Sequence, residues 1–148
     1  MGSSGFQTPL CLVADTVPDM WILETPLVWL DPVYGALSVP AGFRTDLASI
    51  PRAVRNLPFL DPDGQSRRPA TMHDWLYAER SKGKDFADNF LRDSLIAEGA
   101  SKATANAFYY GVHWFGGPSW ASDAGALDTR DFATPQQYFN WKAQCTSS

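Results

Sequence analysis

The stretch Met72-His73-Asp74-Trp75-Leu76-Tyr77, followed by Asp85-Phe86-Ala87-Asp88-Asn89-Phe90, decides how this chain is read. Both runs set ionisable side chains into apolar frames at helical spacing. On the first, His73 and Tyr77 lie four apart and share a helix face, with Leu76 on the same side. Asp74 is turned by about 100° from His73, so its carboxylate addresses a different neighbour. On the second, Asp88 lines up with Leu91 and Leu95 at spacings of three and four, which turns it toward a core. Two adjacent helices are therefore predicted, with His73, Tyr77 and Asp88 on their facing sides.

Outward from these runs the helical part spans residues 70–116. A first helix is predicted over 70–79 and a second over 84–98, with Gly99 at its C′ position. Ser101 is placed to cap a third helix running to about 116. Phe86, Phe90 and Ala97, with Leu91 and Leu95 beside them, form the apolar side of the second helix. Ala105, Phe108, Tyr109, Val112 and Phe115 do the same on the third.

Residues 9–46 read as β-rich. Trp21-Ile22-Leu23, Leu27-Val28-Trp29-Leu30 and Ala36 to Val39 carry aromatic and branched residues. Asp31-Pro32-Val33-Tyr34-Gly35 reads as a turn. Pro18, Pro26 and Pro40 push their segments to strand ends or edges. Residues 47–69 are connecting chain, and residues 117–148 an irregular aromatic tail. The expected fold is a single α+β domain over 1–148: a small antiparallel N-terminal sheet packed on about three helices.

Composition narrows the function. The chain has 148 residues, 45% of them hydrophobic, enough for one buried core. The net charge of −4, with scattered Lys and Arg, argues against nucleic acid as a partner. No apolar run approaches the roughly 18–20 residues that span a bilayer, so no transmembrane segment is expected. Met1 to Gly5 lacks the charge and apolar run of a signal peptide. Cys11 and Cys145 have no metal-site spacing, and the sequence leaves open whether they pair.

The chemistry centres on His73. An inward Asp88 beside an inward His73 would fix the imidazole tautomer and raise its basicity. In a reactive reading His73 takes a proton from water, Asp88 orients it, Tyr77 completes the cluster, and Asp74 holds a cation or substrate group. In a structural reading the same groups satisfy one another and pin two helices together. A second constellation is Val39-Pro40-Ala41-Gly42-Phe43-Arg44-Thr45-Asp46-Leu47-Ala48-Ser49-Ile50-Pro51-Arg52. Gly42 permits a sharp bend. Arg44 or Asp46 is expected to bond to the helical half, and Asp46 is a candidate metal ligand or acid. Ser49 has no nucleophile elbow around it. His113, in an aromatic helix, reads as a packed or surface residue.

The run from Val39 to Arg52, then His73-Asp74-x-x-Tyr77, then Ala87-Asp88-x-Phe90, resembles domain-of-unknown-function family 1353 over roughly residues 20–116. The resemblance implies a tailed-phage or prophage setting. His73-Asp74-x-x-Tyr77 with Asp88-x-x-x-x-Asp93 is also similar to the paired helices of phospholipases A2. That similarity implies a water-activating role for His73, calcium binding for Asp74 and orientation of the imidazole by Asp88. The Gly-rich calcium loop and the helix-stapling cysteines of that family have no counterpart here.

The leading expectation is a virion-associated protein of a phage tail or baseplate. It would contact other phage structural proteins in an oligomeric assembly, and sit in the virion or in the host cytoplasm before assembly. The alternatives are a His/Asp-dependent hydrolase of envelope lipid or peptidoglycan, with a divalent cation such as calcium as its cofactor, and a small host-directed phage protein.

Overall fold

The computed structural model describes residues 5–14, 21–45 and 66–122. Among these residues six short strands come first: β1 (Gly5–Phe6), β2 (Leu12–Ala14), β3 (Trp21–Leu23), β4 (Leu27–Asp31), β5 (Gly35–Val39) and β6 (Arg44–Thr45). Among the described residues four helices follow: α1 (Arg67–Glu79), α2 (Lys84–Ala97), α3 (Lys102–Phe115) and α4 (Gly117–Ser122). The fold is α+β, but the strands make two antiparallel sheets where one was expected, in the orders β1-β4-β5 and β2-β3-β6.

Pro26 explains part of that split. It sits between β3 and β4 and has no N–H to offer a ladder. Thr8 covers this junction instead: its Oγ1 donates to the Pro26 carbonyl (3.2 Å) and accepts from the Val28 N–H (2.9 Å). β4 and β5 then form a hairpin in which Leu27 faces Val39 and Trp29 faces Leu37. All four are buried, while the alternating Ala36 and Ser38 face outward. Asp31 closes the turn, its Oδ2 accepting from the N–H groups of Val33 (2.9 Å) and Tyr34 (3.0 Å). Gly35 takes a φ of +76°, a conformation that favours glycine.

The bend expected at Gly42 is present, with φ +94°. It lets the Gly42 N–H bond the Leu23 carbonyl (2.8 Å) and the Phe43 carbonyl accept from the Leu23 N–H (2.9 Å). β6 thereby pairs with β3, Thr45 opposite Trp21 and Arg44 opposite Ile22.

Two apolar clusters hold the layers together. Leu23, Leu27, Trp29, Leu37, Val39 and Phe43 from the sheets meet Met72, Leu76, Tyr77, Ala78, Ala87 and Phe90 from α1 and α2. Leu91 and Leu95 meet Ala105, Phe108 and Val112 between α2 and α3. Trp29 is edge-on to both Phe6 and Phe90, at centroid distances of 4.9 and 5.0 Å. Burying one such large side chain stabilises a fold by roughly 1.5–3 kcal/mol.

The helix ends follow local chemistry. Ser101 caps α3, its Oγ accepting from the Thr104 N–H at 3.1 Å. Gly99 follows α2 with φ +101°. α1 starts earlier than the apolar pattern implies, at Arg67, because Pro69 is tolerated in a first turn. Two predicted stripe residues are exposed, Ala97 and Phe115. Each lies in the last turn of its helix. Lys84, at the start of α2, bonds the Val112 and His113 carbonyls, so Phe115 has already passed the start of its partner helix.

The first residues of the expected irregular tail are helical instead. α4 docks Trp120 edge-on against Tyr77 with centroids 5.1 Å apart. The later aromatic residues Phe132, Tyr138, Phe139 and Trp141, together with Cys145, Asp46 and Ser49, lie outside the described residues. Cys11 is a free, half-buried thiol. Among the described residues no helix is long and apolar enough to cross a membrane.

Candidate functional site

α1 and α2 are adjacent, and their facing stripes bring two of the predicted residues, His73 and Tyr77, onto the carboxylate of a third, Asp88. His73 Nε2 lies 3.0 Å from Asp88 Oδ1, and Tyr77 Oη donates to the same oxygen at 2.6 Å. His73 and Asp88 are 0% exposed and Tyr77 is 2% exposed. The His73 and Tyr77 rings sit 4.2 Å apart, as residues one turn apart on a helix should. With Asp88 ionised, His73 donates from Nε2, which leaves Nδ1 as the basic nitrogen of the neutral ring.

The second Asp88 oxygen is held by a residue that the sequence reading missed. Lys84 Nζ donates to Asp88 Oδ2 at 2.7 Å, and also to the carbonyls of Val112 (3.0 Å) and His113 (3.4 Å). Lys84 and Asp88 lie four apart on α2, a spacing that favours such a pair and was legible in the sequence. The contact to α3 was not. The network thus joins α1, α2 and the last turn of α3 through one buried carboxylate.

Its electrostatics follow from that count of donors. Burial pushes the Asp88 carboxyl up, but hydrogen bonds from His73, Lys84 and Tyr77 outweigh it and hold the group below the ordinary carboxylate range. Asp88 is therefore a fixed negative charge at neutral pH, suited to orienting an imidazole and stabilising its protonated form.

Asp74 points elsewhere, as its position on the helix predicts. It is half-buried and accepts from Thr45 Oγ1 at 2.5 Å, which ties α1 to β6. Thr45, within the extended motif, thus makes one bond from that motif to the helical half. Arg44 is half-buried in β6, and Asp46 lies outside the described residues.

The remaining candidates separate from the cluster. Asp93 is exposed and pairs with its neighbour Arg92 at 3.2 Å, so it takes no part in the site. His113 is exposed and stacks on Tyr109, with centroids 5.4 Å apart. Among the described residues no group of three or more His, Cys, Asp or Glu could hold a metal ion.

Gly116 sets the wall of the site at the α3–α4 junction. A Cβ there would fall 2.8 Å from Tyr77 Oη and 2.3 Å from the Val112 carbonyl oxygen. Glycine is what lets the chain pass this close to the Tyr77 hydroxyl.

No curated protein and no solved structure matches the chain. The family described as "Protein of unknown function (DUF1353)" matches residues 21–112, which span β3 to the last turn of α3 and contain His73, Asp74, Tyr77, Lys84 and Asp88. That is well over half of the sequence, and the chain belongs to this family.

Proposed function

We propose that this protein is a hydrolase that works on cell-envelope material for a tailed phage or prophage, with His73 as its general base. One observation carries the reading: a single ionised carboxylate, Asp88, takes both the His73 ring and the Tyr77 hydroxyl on the same oxygen. A His–carboxylate pair fixes the ring tautomer and stabilises the imidazolium formed when the ring takes a proton. His73 Nδ1 would remove a proton from water as the water oxygen bonds to an ester or amide carbonyl carbon. The same proton then passes to the leaving alkoxide or amine as its bond to that carbon breaks. Tyr77 and Lys84 keep Asp88 ionised and in place. His73 is sealed in the resting fold, so turnover requires a local opening on the site side.

A second reading rests on that same burial. A cluster whose His73, Tyr77 and Asp88 are enclosed, and which Lys84 joins to a third helix, can serve stability alone. The outward feature of α3 is then what matters: Tyr110, Trp114 and Phe115 are 48%, 67% and 58% exposed. Exposed aromatic residues of this kind suit contacts with neighbouring subunits of a tail or baseplate.

The deciding experiment compares wild type with His73→Gln and Asp88→Asn, assaying ester and amide release from phospholipid vesicles and purified peptidoglycan beside thermal unfolding. The hydrolase reading expects His73→Gln to stay folded and lose activity by a factor of about 100 or more. A wild-type protein inactive on both substrates, together with many copies in purified particles by mass spectrometry, would replace it with the structural reading.

A further inference from the structure

Arg80 ends α1 in the left-handed conformation, with φ +64° and its N–H on the Leu76 carbonyl at 3.1 Å. Its guanidinium carbon lies 3.9 Å from the centre of the Trp120 ring. At this distance the cation is attracted to the face of the indole. Two of its nitrogens, Nε and Nη2, are buried and have no hydrogen-bond partner among the described residues.

Those two nitrogens form one edge of the guanidinium. Their N–H bonds run parallel and match two oxygens on one carbon or phosphorus. Arg68 displays that use in the same protein, its Nε and Nη2 meeting Glu98 Oε1 and Oε2 at 2.5 and 2.7 Å. On Arg80 the equivalent edge is buried and has no acceptor among the described residues. An arginine at a helix end can usually turn its head into water, and burying charged donors without an acceptor is costly. Here the guanidinium sits over Trp120 instead, with these two nitrogens buried.

We propose that Arg80, seated on Trp120, binds an oxyanion that offers two oxygens on one centre, a phosphate or a carboxylate. Arg80 follows Tyr77 by three residues, just past the last residue of α1. Seven residues of helical rise set the Arg80 α-carbon roughly 10 Å along the helix axis from that of His73. Recognition of an anion is independent of hydrolysis, so either proposal can fail without the other.

The test is nitrogen-resolved NMR of the arginine Nε–H groups in the intact protein. Sodium phosphate, sodium acetate and a short-chain phosphatidylcholine below its micelle concentration are titrated separately against sodium chloride at matched ionic strength. The Arg80 signal, assigned through its covalent connectivity to the backbone resonances of residue 80, is expected to shift saturably with at least one oxyanion and not with chloride. The Arg68 signal should stay in place, because Glu98 already occupies it. A response to free phosphate identifies a soluble anion, one to the lipid alone a headgroup, and one to acetate alone a carboxylate. Arg80→Lys keeps the charge but loses the paired donors, and should weaken binding of the responding anion at least tenfold by calorimetry. An Arg80 signal unmoved by all three probes overturns the proposal, as does undiminished affinity in Arg80→Lys. The wild-type titration stands even if substitution at Arg80 disturbs folding.

Discussion

Lys84 Nζ lies 2.7 Å from Asp88 Oδ2, one helical turn away, and from there reaches the Val112 carbonyl of α3 at 3.0 Å. A single ammonium therefore both compensates the buried carboxylate and fastens two helices. Lys84→Met removes it and leaves Asp88 Oδ2 and a main-chain carbonyl short of a donor. We expect a loss of about 2–4 kcal/mol in denaturant unfolding, since the partner left behind stays buried. A midpoint equal to wild type would show that solvent replaces the ammonium at no cost.

The acid response of the fold should report Asp88. Its carboxyl is held below the ordinary carboxylate range in the folded state. The stability it contributes is therefore present above the unfolded pKa of about 4 and is lost as pH falls through the lower folded value. Unfolding free energies measured from pH 7 down to 2 should show wild type converging on Asp88→Asn below about pH 4. A gap between the two proteins that stays constant over that range would mean that another group sets the acid limit.

Tyr77→Phe deletes one donor to Asp88 while keeping the ring that packs against His73 and Trp120. The expected cost is about 1–3 kcal/mol, the range for a buried hydrogen bond to a charged group. Under the hydrolase proposal its activity should fall less than that of Asp88→Asn, because the His73–Asp88 bond survives. Activity loss equal to Asp88→Asn would assign Tyr77 a direct part in the reaction.

At Gly116 even a methyl group should be resisted. Gly116→Ala places Cβ against the Val112 carbonyl and Tyr77 Oη, so backbone at the α3–α4 junction must shift. Overpacking of this kind costs about 1–3 kcal/mol. The double mutant Gly116→Ala/Tyr77→Phe should recover part of that loss, by removing one of the two colliding atoms. Full additivity of the two changes would show that the Val112 contact alone is responsible.

Thr45→Val keeps the shape of the side chain and removes the donor that joins β6 to Asp74. Asp74 is only half-buried, so water can take over part of the bond. A loss of about 1–2 kcal/mol in thermal unfolding is expected. No change in melting temperature would make this sheet–helix link dispensable.

The helical half was legible residue by residue, because a period near 3.6 is carried by neighbours on one short segment. The positions of His73, Tyr77 and Asp88 on inward faces, the Ser101 cap and the Gly99 terminus all follow from local spacing and local hydrogen bonds. The Asp31 turn and the Gly42 bend are local in the same sense. What only the tertiary structure decided depends on elements far apart in sequence. It split the strands into two sheets, because the partners of β1 and β2 lie beyond them along the chain and strand composition does not say which pair. It set Lys84 on the carbonyls of α3, Thr45 on Asp74 and Trp120 on Arg80, contacts fixed by how whole helices pack. It also left Phe115 exposed while Val112, one turn earlier on the same stripe, is sealed. Periodicity tells which face of a helix is apolar, and only the position of the neighbouring helix tells where along that face the core ends.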